Sequence, residues 1–324
     1  MSETWPLMTA KKITENVFYI PGATNVGVIA ENGKRGSKAK DLYLVDSGGD
    51  SEDAARIFSS LVELFPEEKG GFNLVAVINT HSHADHCGGN AFFVQKTGCQ
   101  IWCDRIESAG LECSLLQSII TCGSMPLPHL QSSYYVAKPS KADRFIDENS
   151  EIRLRGGGKI NFISLPGHYL NMLGVLFTSK KGETVFFPGD AVFGRMHVLK
   201  YWISYLVDLG AFKQTLNKLN ETAFDWYIPC HGEPCQRIQE TVEMNKIAIL
   251  STEYCILRAL RDERRLTFSE LMKAIADIND IKLRTPQYLL IGSTIRAYLY
   301  YLYQENKIDC AMKENQLFWF RVKD

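Results

Sequence analysis

The sequence predicts a layered α/β domain, residues 1 to 244, followed by a small and mainly helical domain, residues 245 to 324. Short runs rich in β-branched and aromatic residues recur through the first 230 residues, and amphipathic segments separate several of them. After about Met244 the pattern changes to long helical segments that end in two strand-like runs. Strands that alternate with helices in this way are typical of sheets covered by helices.

Eight strands are predicted in the first domain, at residues 17–20, 26–30, 42–46, 74–80, 159–165, 173–178, 184–190 and 225–229. Helices are predicted from the N-cap Ser51 to Phe65, from Gly89 to about Lys96, and from Ser204 to Leu219. Residues 104 to 143 break this rhythm. We interpret them as an insertion, part helix and part loop, of the kind that often forms a lid or a binding loop.

The C-terminal segment predicts three helices and a hairpin. A helix over Asn245 to Arg261 precedes a second helix that opens with the capping-box residues Thr267 and Glu270. The third helix is predicted to begin at the cap Thr285, and two strand-like runs around a KEN turn follow it. Helix, helix, helix and hairpin is the order of a winged-helix domain, a variant of the helix-turn-helix.

Composition limits the functional classes. The chain has 324 residues, a net charge of −1, 45% hydrophobic and 23% charged residues, which is typical of a globular protein. Its N-terminus lacks the apolar stretch of a signal peptide, and no apolar run reaches the ~18 residues of a membrane helix, so no membrane partner is expected. Nine scattered cysteines argue against a secreted disulfide framework. We therefore expect a cytoplasmic protein.

The charge of the C-terminal segment bears on its partner. Residues 245 to 324 contain 13 Lys and Arg against 10 Asp and Glu, a net charge of +3, which is small for a nucleic-acid-binding domain. The third helix is rich in leucine and tyrosine, which favours packing or a homodimer surface over contact with a nucleic-acid groove. A small-molecule substrate is the favoured partner, and nucleic acid is the alternative.

The segment NTHSHADHCGGN, residues 79 to 90, contains three of the seven histidines of the chain. It follows a predicted strand. His81 and His83 alternate along an extended turn and face the same way, whereas Asp85 and His86 point toward a second position. One metal ion cannot take all four side chains without strain, so the spacing favours two adjacent metal ions.

Three further residues of ligand type follow predicted strands, each beside a glycine that allows close backbone approach. They are His168 in SLPGHYLN, Asp190 in FFPGDAVF and His231 in YIPCHGEP. Five histidines together with Asp85 and Asp190 complete two sites, and Asp190 is free to bridge them.

These motifs in this order, with an early VDSGG at residues 45 to 49, resemble the metallo-β-lactamase superfamily of hydrolases over roughly residues 13 to 240. The resemblance implies the four-layer αββα sandwich of that superfamily. It also implies ligand sets, which are His81, His83 and His168 for the first metal ion, Asp85, His86 and His231 for the second, and Asp190 as the bridge. Asp46 resembles the buried acid that supports the histidine loop.

The resemblance implies a mechanism as well. Two divalent cations, zinc in the first instance with iron or manganese as alternatives, lie ~3.5–4 Å apart and lower the pKa of a bridging water toward ~7. The resulting hydroxide attacks an ester, thioester, lactone or phosphodiester, and the catalytic residue Asp85 orients it. Three residues near the ligand motifs are candidates for the substrate pocket, namely Tyr169, His197 and Lys200.

Several branches of the superfamily remain open. Glyoxalase II-like thioesterases share the ligand set, and a group of lactamase-like endoribonucleases pairs the same core with a short winged-helix tail. The insertion at 104 to 143 is foreign to both branches. Persulfide dioxygenases use one iron bound by two histidines and the bridging aspartate, which would replace hydrolysis with redox chemistry. A regulator that only binds nucleic acid would not need seven intact ligands.

Overall fold

The computed structural model describes residues 9 to 322, and two β-sheets form the first domain. The first sheet has seven strands, in spatial order β1 (Lys11–Lys12), β2 (Val17–Ile20), β3 (Val26–Asn32), β4 (Lys40–Val45), β5 (Phe72–Ile78), β6 (Gln100–Cys103) and β7 (Arg144–Phe145). The second has five, which are β8 (Glu151–Arg153), β9 (Lys159–Ser164), β10 (Leu173–Thr178), β11 (Thr184–Phe187) and β12 (Trp226–Tyr227). The first sheet is antiparallel from β1 to β4 and parallel from β4 to β7.

Helices cover the outer faces of both sheets. In chain order they are α1 (Ser51–Leu64), α2 (Ala84–Cys87), α3 (Asn90–Thr97), α4 (Arg105–Glu112), α5 (Leu116–Cys122), α6 (Arg195–Lys200) and α7 (Leu209–Asn220). One apolar cluster lies between the two sheets, a second joins the first sheet to α1, α3 and α4, and a third joins the second sheet to the later helices. These layers form the αββα sandwich, so the predicted fold class is confirmed.

The eight predicted strands are all present, with ends that differ by up to three residues. The N-cap of α1 is Asp50 and not Ser51, because the Asp50 carboxylate accepts hydrogen bonds from the backbone N–H groups of Glu52 and Asp53. Helix α7 begins at Leu209 and not at Ser204, since Asp208 caps it through the N–H of Ala211. The segment from 104 to 143 contains α4, α5 and the short 3₁₀ turn Pro128–Leu130, joined by loops.

The C-terminal domain is helical and packs onto the second sheet's helices. It contains α8 (Gln239–Ala259), β13 (Leu266–Thr267), α9 (Phe268–Ile278), α10 (Thr285–Gln304), β14 (Ile308–Lys313) and β15 (Gln316–Arg321). The predicted boundary at residue 244 falls inside α8, whose N-terminal half is bonded to the first domain through Asn245 and the backbone of Phe193. The Thr267–Glu270 capping box is confirmed. The cap of α10 is Arg284 and not Thr285.

None of the helices within residues 9 to 322 is long and apolar enough to cross a membrane.

The glycine pair after the histidine run allows a close backbone approach. A Cβ atom on Gly88 would lie 1.9 Å from the carbonyl oxygen of Gly49, and one on Gly89 would lie 2.2 Å from that of Ser47. Both contacts join the histidine segment to the loop that follows β4. The two glycines therefore let the chain carrying Asp46 approach the chain carrying the histidines.

We expect Gly88→Ala to lower the free energy of unfolding by about 1–3 kcal/mol or more, because the new methyl group overlaps backbone that cannot rotate away. Urea denaturation measures the change. Gly210→Ala in α7 is the control, since its Cβ would meet nothing closer than 3.4 Å. That variant should be as stable as the parent, or more stable by up to ~1 kcal/mol. Equal midpoints for the two variants would contradict the close-approach explanation.

Candidate metal centre

The seven predicted ligands lie together at one end of the two sheets. Four groups of side chains in the described residues have ligand atoms within 4.8 Å of one another. Three contain only predicted ligands, and these are His81, His83 and His168, then His81, His86 and Asp190, then Asp85, His86 and His231; the fourth joins His86 to Asp46 and Cys230. The loop after β5 supplies the first histidines, and the loops after β9, β11 and β12 supply the residues from the second sheet. The structure thus brings together every candidate that the sequence singled out as a metal ligand.

Distances between these atoms fit shared metal ions better than direct hydrogen bonds. The Nε2 atoms of His168 and His231 lie 3.4 and 3.3 Å from Oδ2 of Asp190, and Nε2 of His86 lies 3.5 Å from Oδ1. The Oδ2 atom of Asp85 lies 3.3 Å from His231 Nε2 and 3.5 Å from His86 Nε2. Two ligand atoms on one tetrahedral zinc ion lie about 3.3–3.6 Å apart. Charge-assisted hydrogen bonds are shorter, about 2.7–2.9 Å.

Each of four histidines is held through its Nδ1 atom, which leaves Nε2 facing the centre. The backbone carbonyl oxygens of Tyr205 and Ala23 accept from His168 and His231 at 2.8 and 2.9 Å. The Nδ1 atom of His86 lies 2.8 Å from Asp46 Oδ2, and that of His81 lies 3.0 Å from Thr80 Oγ1. A carbonyl can only accept, so His168 and His231 carry their protons on Nδ1 and present Nε2 as a metal-ligating lone pair.

Several buried polar atoms at the centre make no hydrogen bond within the described chain. They are the Nε2 atoms of His81, His83 and His86 and the Oδ1 atom of Asp190. Buried polar groups are nearly always paired, so the unpaired atoms of His81, His86 and Asp190 indicate a missing partner, whereas His83 presents its Nδ1 atom, which lies 3.0 Å from His168 Nε2. Imidazole nitrogens and carboxylate oxygens are the donor set of zinc and similar divalent metals. The residues present therefore fit the metal ions that the sequence implied.

Asp46 supports the histidine loop from behind. It is fully buried, and its carboxylate accepts hydrogen bonds from the N–H and hydroxyl of Thr80 at 2.8 and 2.9 Å. The Cys230 thiol also donates to it, at 3.4 Å. Burial and the charge of Asp46 raise the pKa of Cys230, which favours the thiol form of that sulfur. The backbone of Asp46 has a φ of 64°, a left-handed conformation that is costly outside glycine and often marks functional sites.

The charges of the site divide the histidines into two groups. Burial lowers the pKa of His81 and His83 well below the ordinary value, so both are neutral imidazoles, the form that binds metal. Burial opposes protonation of His231 too, but Asp190 and Asp85 outweigh it and raise its pKa to about 10. The two carboxylates thus attract positive charge into the space beside His231, and a divalent cation bound there would supply that charge without a proton.

The three predicted pocket residues occupy different positions. The ring of Tyr169 lies 4.4 Å from that of His83 and is 2% exposed, so it packs beneath the histidine. His197 lies at the surface of the site, with its ring 5.0 Å from that of His231 and stacked on Phe193 at 4.5 Å. Lys200 lies farther out on α6, and its ammonium sits 4.7 Å from the ring centre of Tyr201.

Sequence reasoning missed residues that hold the ligands in place. Glu107, in α4 of the insertion, is 1% exposed and accepts hydrogen bonds from the N–H and hydroxyl of Ser82 at 3.0 and 2.7 Å. Its other oxygen accepts from the N–H of Asn171 at 3.0 Å. The hydroxyl of Thr24 donates to Asp85 Oδ2 at 3.0 Å. The sequence does carry a sign of Glu107, because it places an acidic residue on the apolar face of an amphipathic segment.

The sequence profile described as "Metallo-beta-lactamase superfamily" matches residues 19 to 231, a range that contains all seven candidate ligands and Asp46. The chain belongs to the metallo-beta-lactamase superfamily. The resemblance seen in the motifs is therefore confirmed, and metal-dependent hydrolysis is the activity that this superfamily and the His/Asp clusters support.

Three curated relatives that match this chain carry the names of a thioesterase and of hydroxyacylglutathione hydrolases. An atrochrysone carboxyl ACP thioesterase from Aspergillus chevalieri is 23% identical over 66% of this chain and 70% of its own length. A hydroxyacylglutathione hydrolase from Haemophilus influenzae is 28% identical over 48% of this chain and 62% of its own length. A second hydroxyacylglutathione hydrolase, from Hyphomonas neptunium, is 30% identical over 47% of each chain.

Solved structures share the fold over nearly the whole chain. A beta-lactamase domain protein from Burkholderia ambifaria has a TM-score of 0.74 at 14% identity and covers 99% of this chain and 98% of its own. A metallo-beta-lactamase family protein from Thermus thermophilus has a TM-score of 0.65 at 17% identity and covers 98% of both chains. Since this coverage includes the C-terminal helices, the helical domain belongs to the shared architecture.

Proposed function

We propose that this protein is a dinuclear metal hydrolase, with zinc as the first choice of metal, that cleaves a thioester or ester. The proposal is carried by the pair of adjoining ligand groups on either side of Asp190, in which His81 Nε2, His86 Nε2 and Asp190 Oδ1 are buried and unpaired. One carboxylate oxygen of Asp190 lies near His86, and the other lies near His168 and His231. This arrangement supports a bridging role for Asp190 between two metal ions.

The protein residues would contribute to hydrolysis as follows. When bound, two divalent cations supply a strong nucleophile at neutral pH and polarise the carbonyl of the substrate. Asp85 is the more exposed carboxylate of the site, 36% against 4% for Asp190, and Thr24 fixes its orientation. It is therefore the group placed to accept a hydrogen bond from the attacking water. Water adds to the carbonyl carbon, the carbon–sulfur or carbon–oxygen bond breaks, and a carboxylate and a thiol or alcohol leave.

The thioester class is favoured by the relatives. A thioesterase and two hydroxyacylglutathione hydrolases match this chain in sequence. Lactones and phosphodiesters are kept as comparison substrates. The nine unpaired cysteines support a reducing compartment such as the cytoplasm as the place of action.

The redox alternative is disfavoured by the second group of ligands. A single-iron centre of the persulfide dioxygenase type needs two histidines and the bridging aspartate only. Asp85, His86 and His231 would have no task in such a centre, yet His86 and His231 are each oriented through Nδ1. The second group is therefore better explained by a second metal ion.

We infer a winged-helix-like C-terminal domain from its element order. Helix α8 is followed by β13, α9, α10 and the β14–β15 hairpin, and the three strands form one sheet in the order β13-β15-β14. Helix α10 buries Tyr298, Leu299 and Leu302 in the core that it shares with α7 and α8. We propose that this domain packs against the catalytic domain and that it does not read a nucleic-acid groove. Single-stranded RNA is accordingly the alternative substrate in the activity assay.

Elemental analysis of protein purified without added metal tests the proposal. We expect about two zinc ions per chain, and about one in His231→Ala, because that variant removes a ligand of the second group. His129→Ala is the matched control, since His129 is exposed in the 3₁₀ turn after α5 and lies outside the ligand groups. It should keep both ions. One iron per chain, unchanged by His231→Ala, would overturn the two-metal proposal.

A further inference from the structure

A cavity of about 430 Å³ lies between the insertion and the C-terminal domain. Helix α5 of the insertion borders it on one side, and α10 of the C-terminal domain borders it on the other. Small-molecule sites have volumes of about 300–1,000 Å³ and often lie where two domains meet. None of the seven candidate metal ligands is among the described residues that line this cavity. It is therefore a candidate site separate from the metal centre.

Tyr205 lies between this cavity and the metal centre. On the metal side, the centre of its ring lies 5.4 Å from that of His83 and 5.9 Å from that of His168. On the other side, its hydroxyl oxygen lies 3.3 Å from Oγ1 of Thr121, a residue that lines the cavity. The cavity and the metal centre are therefore neighbours with one tyrosine between them.

The walls of the cavity have an apolar part and a polar part. Aliphatic side chains and one ring line the apolar part, namely Ile120, Val207, Ala297 and Tyr300. Two hydroxyl groups and one guanidinium line the polar part, namely those of Thr121, Ser293 and Arg296. Pockets of this kind bind the apolar body of a ligand by burial and fix its orientation through the few polar groups. The lining therefore fits an amphipathic ligand.

Arg296 determines the charge of that ligand. Helix α5 contains no charged residue, and α10 contains none besides Arg296. The guanidinium lies 4.1 Å from the ring centre of Phe268, so one of its faces is stacked and its position is restrained. Its N–H groups lie in the plane of the guanidinium, which a stacked ring leaves accessible, and no carboxylate among residues 9 to 322 forms an ion pair with it.

We propose that this cavity binds a small amphipathic monocarboxylate. Two N–H groups of one guanidinium match the two oxygens of one carboxylate, and Arg296 is the only cationic residue that lines the cavity. The apolar chain of the ligand lies along Ile120, Val207 and Ala297. The inference adds a second ligand site to the protein and does not require the proposed hydrolase activity.

Calorimetric titration of the metal-loaded, full-length protein with hexanoate tests the proposal. Hexanamide is the matched ligand, because it has the same chain and a neutral head group. We expect hexanoate to bind about tenfold more tightly than hexanamide or better, since a hydrogen bond to a charged group contributes at least that factor. Equal Kd values, or no hexanoate binding at millimolar concentration, would overturn the proposal.

Variants distinguish the cavity from the metal centre, which can also bind a carboxylate. Arg296→Gln should weaken hexanoate binding by about tenfold or more, and Arg296→Lys should weaken it less, because lysine keeps the charge but not the paired donors. Arg258→Gln, which removes an exposed arginine near the end of α8, is the matched control and should bind like the parent, as should His231→Ala. Binding that is lost in His231→Ala and retained in Arg296→Gln would place the carboxylate on the metal ions and refute the cavity site.

Alkylation of Cys122 locates the ligand directly. Cys122 lines the cavity and is partly exposed, whereas Cys113, at the end of α4, is exposed and outside the cavity. At a hexanoate concentration ten times its Kd, labelling of Cys122 by N-ethylmaleimide should be about tenfold slower, and labelling of Cys113 should be unchanged. Peptide mass spectrometry measures both rates. Equal rates at Cys122 with and without hexanoate would contradict the proposal, whereas protection of Cys122 in a protein that hydrolyses no thioester would support the cavity site and refute the hydrolase alone.

Discussion

Asp190→Asn is expected to lower kcat/KM for any substrate by about 10³-fold or more and to reduce the metal content of the protein. Asparagine keeps the size of the side chain but removes the negative charge that lies between His86, His168 and His231. His231 and His86 hold the pKa of Asp190 well below its ordinary value against the opposing effect of burial, so it is a full anion at neutral pH. In the proposed two-metal hydrolase, losing that anion would weaken the binding of both metal ions, whose contribution to catalysis would be several kcal/mol.

Metal stoichiometry and kinetics on the same preparation measure this effect. Asp41→Asn is the matched control, because Asp41 is also a buried aspartate, 4% exposed, and its partners Asn73 and Arg155 lie away from the ligand groups. That variant should keep its metal content and its rate. If Asp190→Asn retained two metal ions and at least a tenth of the activity, the bridging role of Asp190 would be excluded.

The strands that position the site could be predicted because they are dense in β-branched and aromatic residues. The run VGVIA is buried on both faces, LGVLFT is buried on one face and partly buried on the other, and both show this composition without ambiguity. The strand β6, QIWC, was missed because four residues of mixed character carry little signal, and its place is decided by parallel pairing with β5 and β7. Likewise, Asp50 and Ser51 are both good cap residues, and only the folded backbone shows which one reaches the free N–H groups.

The candidate ligands could be predicted for a different reason. Metal chemistry restricts residue type and spacing so tightly that His81, His83, Asp85 and His86 stand out in six positions of the sequence. The residues that orient them are not restricted in this way. Tyr205 acts through its backbone carbonyl on His168, which any residue could supply. Glu107 comes from the insertion, and its contact with Ser82 spans 25 positions of the chain. Contacts of this kind become visible only in three dimensions.

Glu107→Ala is expected to lower the free energy of unfolding by about 2–4 kcal/mol and metal affinity by about 10–100-fold. The carboxylate joins two loops that carry ligands, since Ser82 lies between His81 and His83, and Asn171 lies three residues after His168. Without it, the buried N–H of Ser82 and the N–H of Asn171 lose their acceptor. An unpaired buried donor lowers the free energy of unfolding, and metal ligands that lose a supporting hydrogen bond are held less firmly in their binding geometry.

Glu107→Gln separates the loss of stability from the loss of metal affinity. Its carbonyl oxygen can still accept from both groups of Ser82, but its NH₂ then faces the N–H of Asn171, which is also a donor. We therefore expect a smaller loss of stability and of metal affinity than for alanine, with the His168 side of the site affected more than the His81–His83 side.

The visible spectrum of the cobalt-substituted protein reports ligand geometry directly, and a purely structural role would leave it unchanged in the folded variant. Glu112→Ala, an exposed acid at the end of the same helix, should alter neither the spectrum nor metal affinity. An unchanged cobalt spectrum in Glu107→Gln would show that the insertion stabilises the fold without positioning the metal ligands.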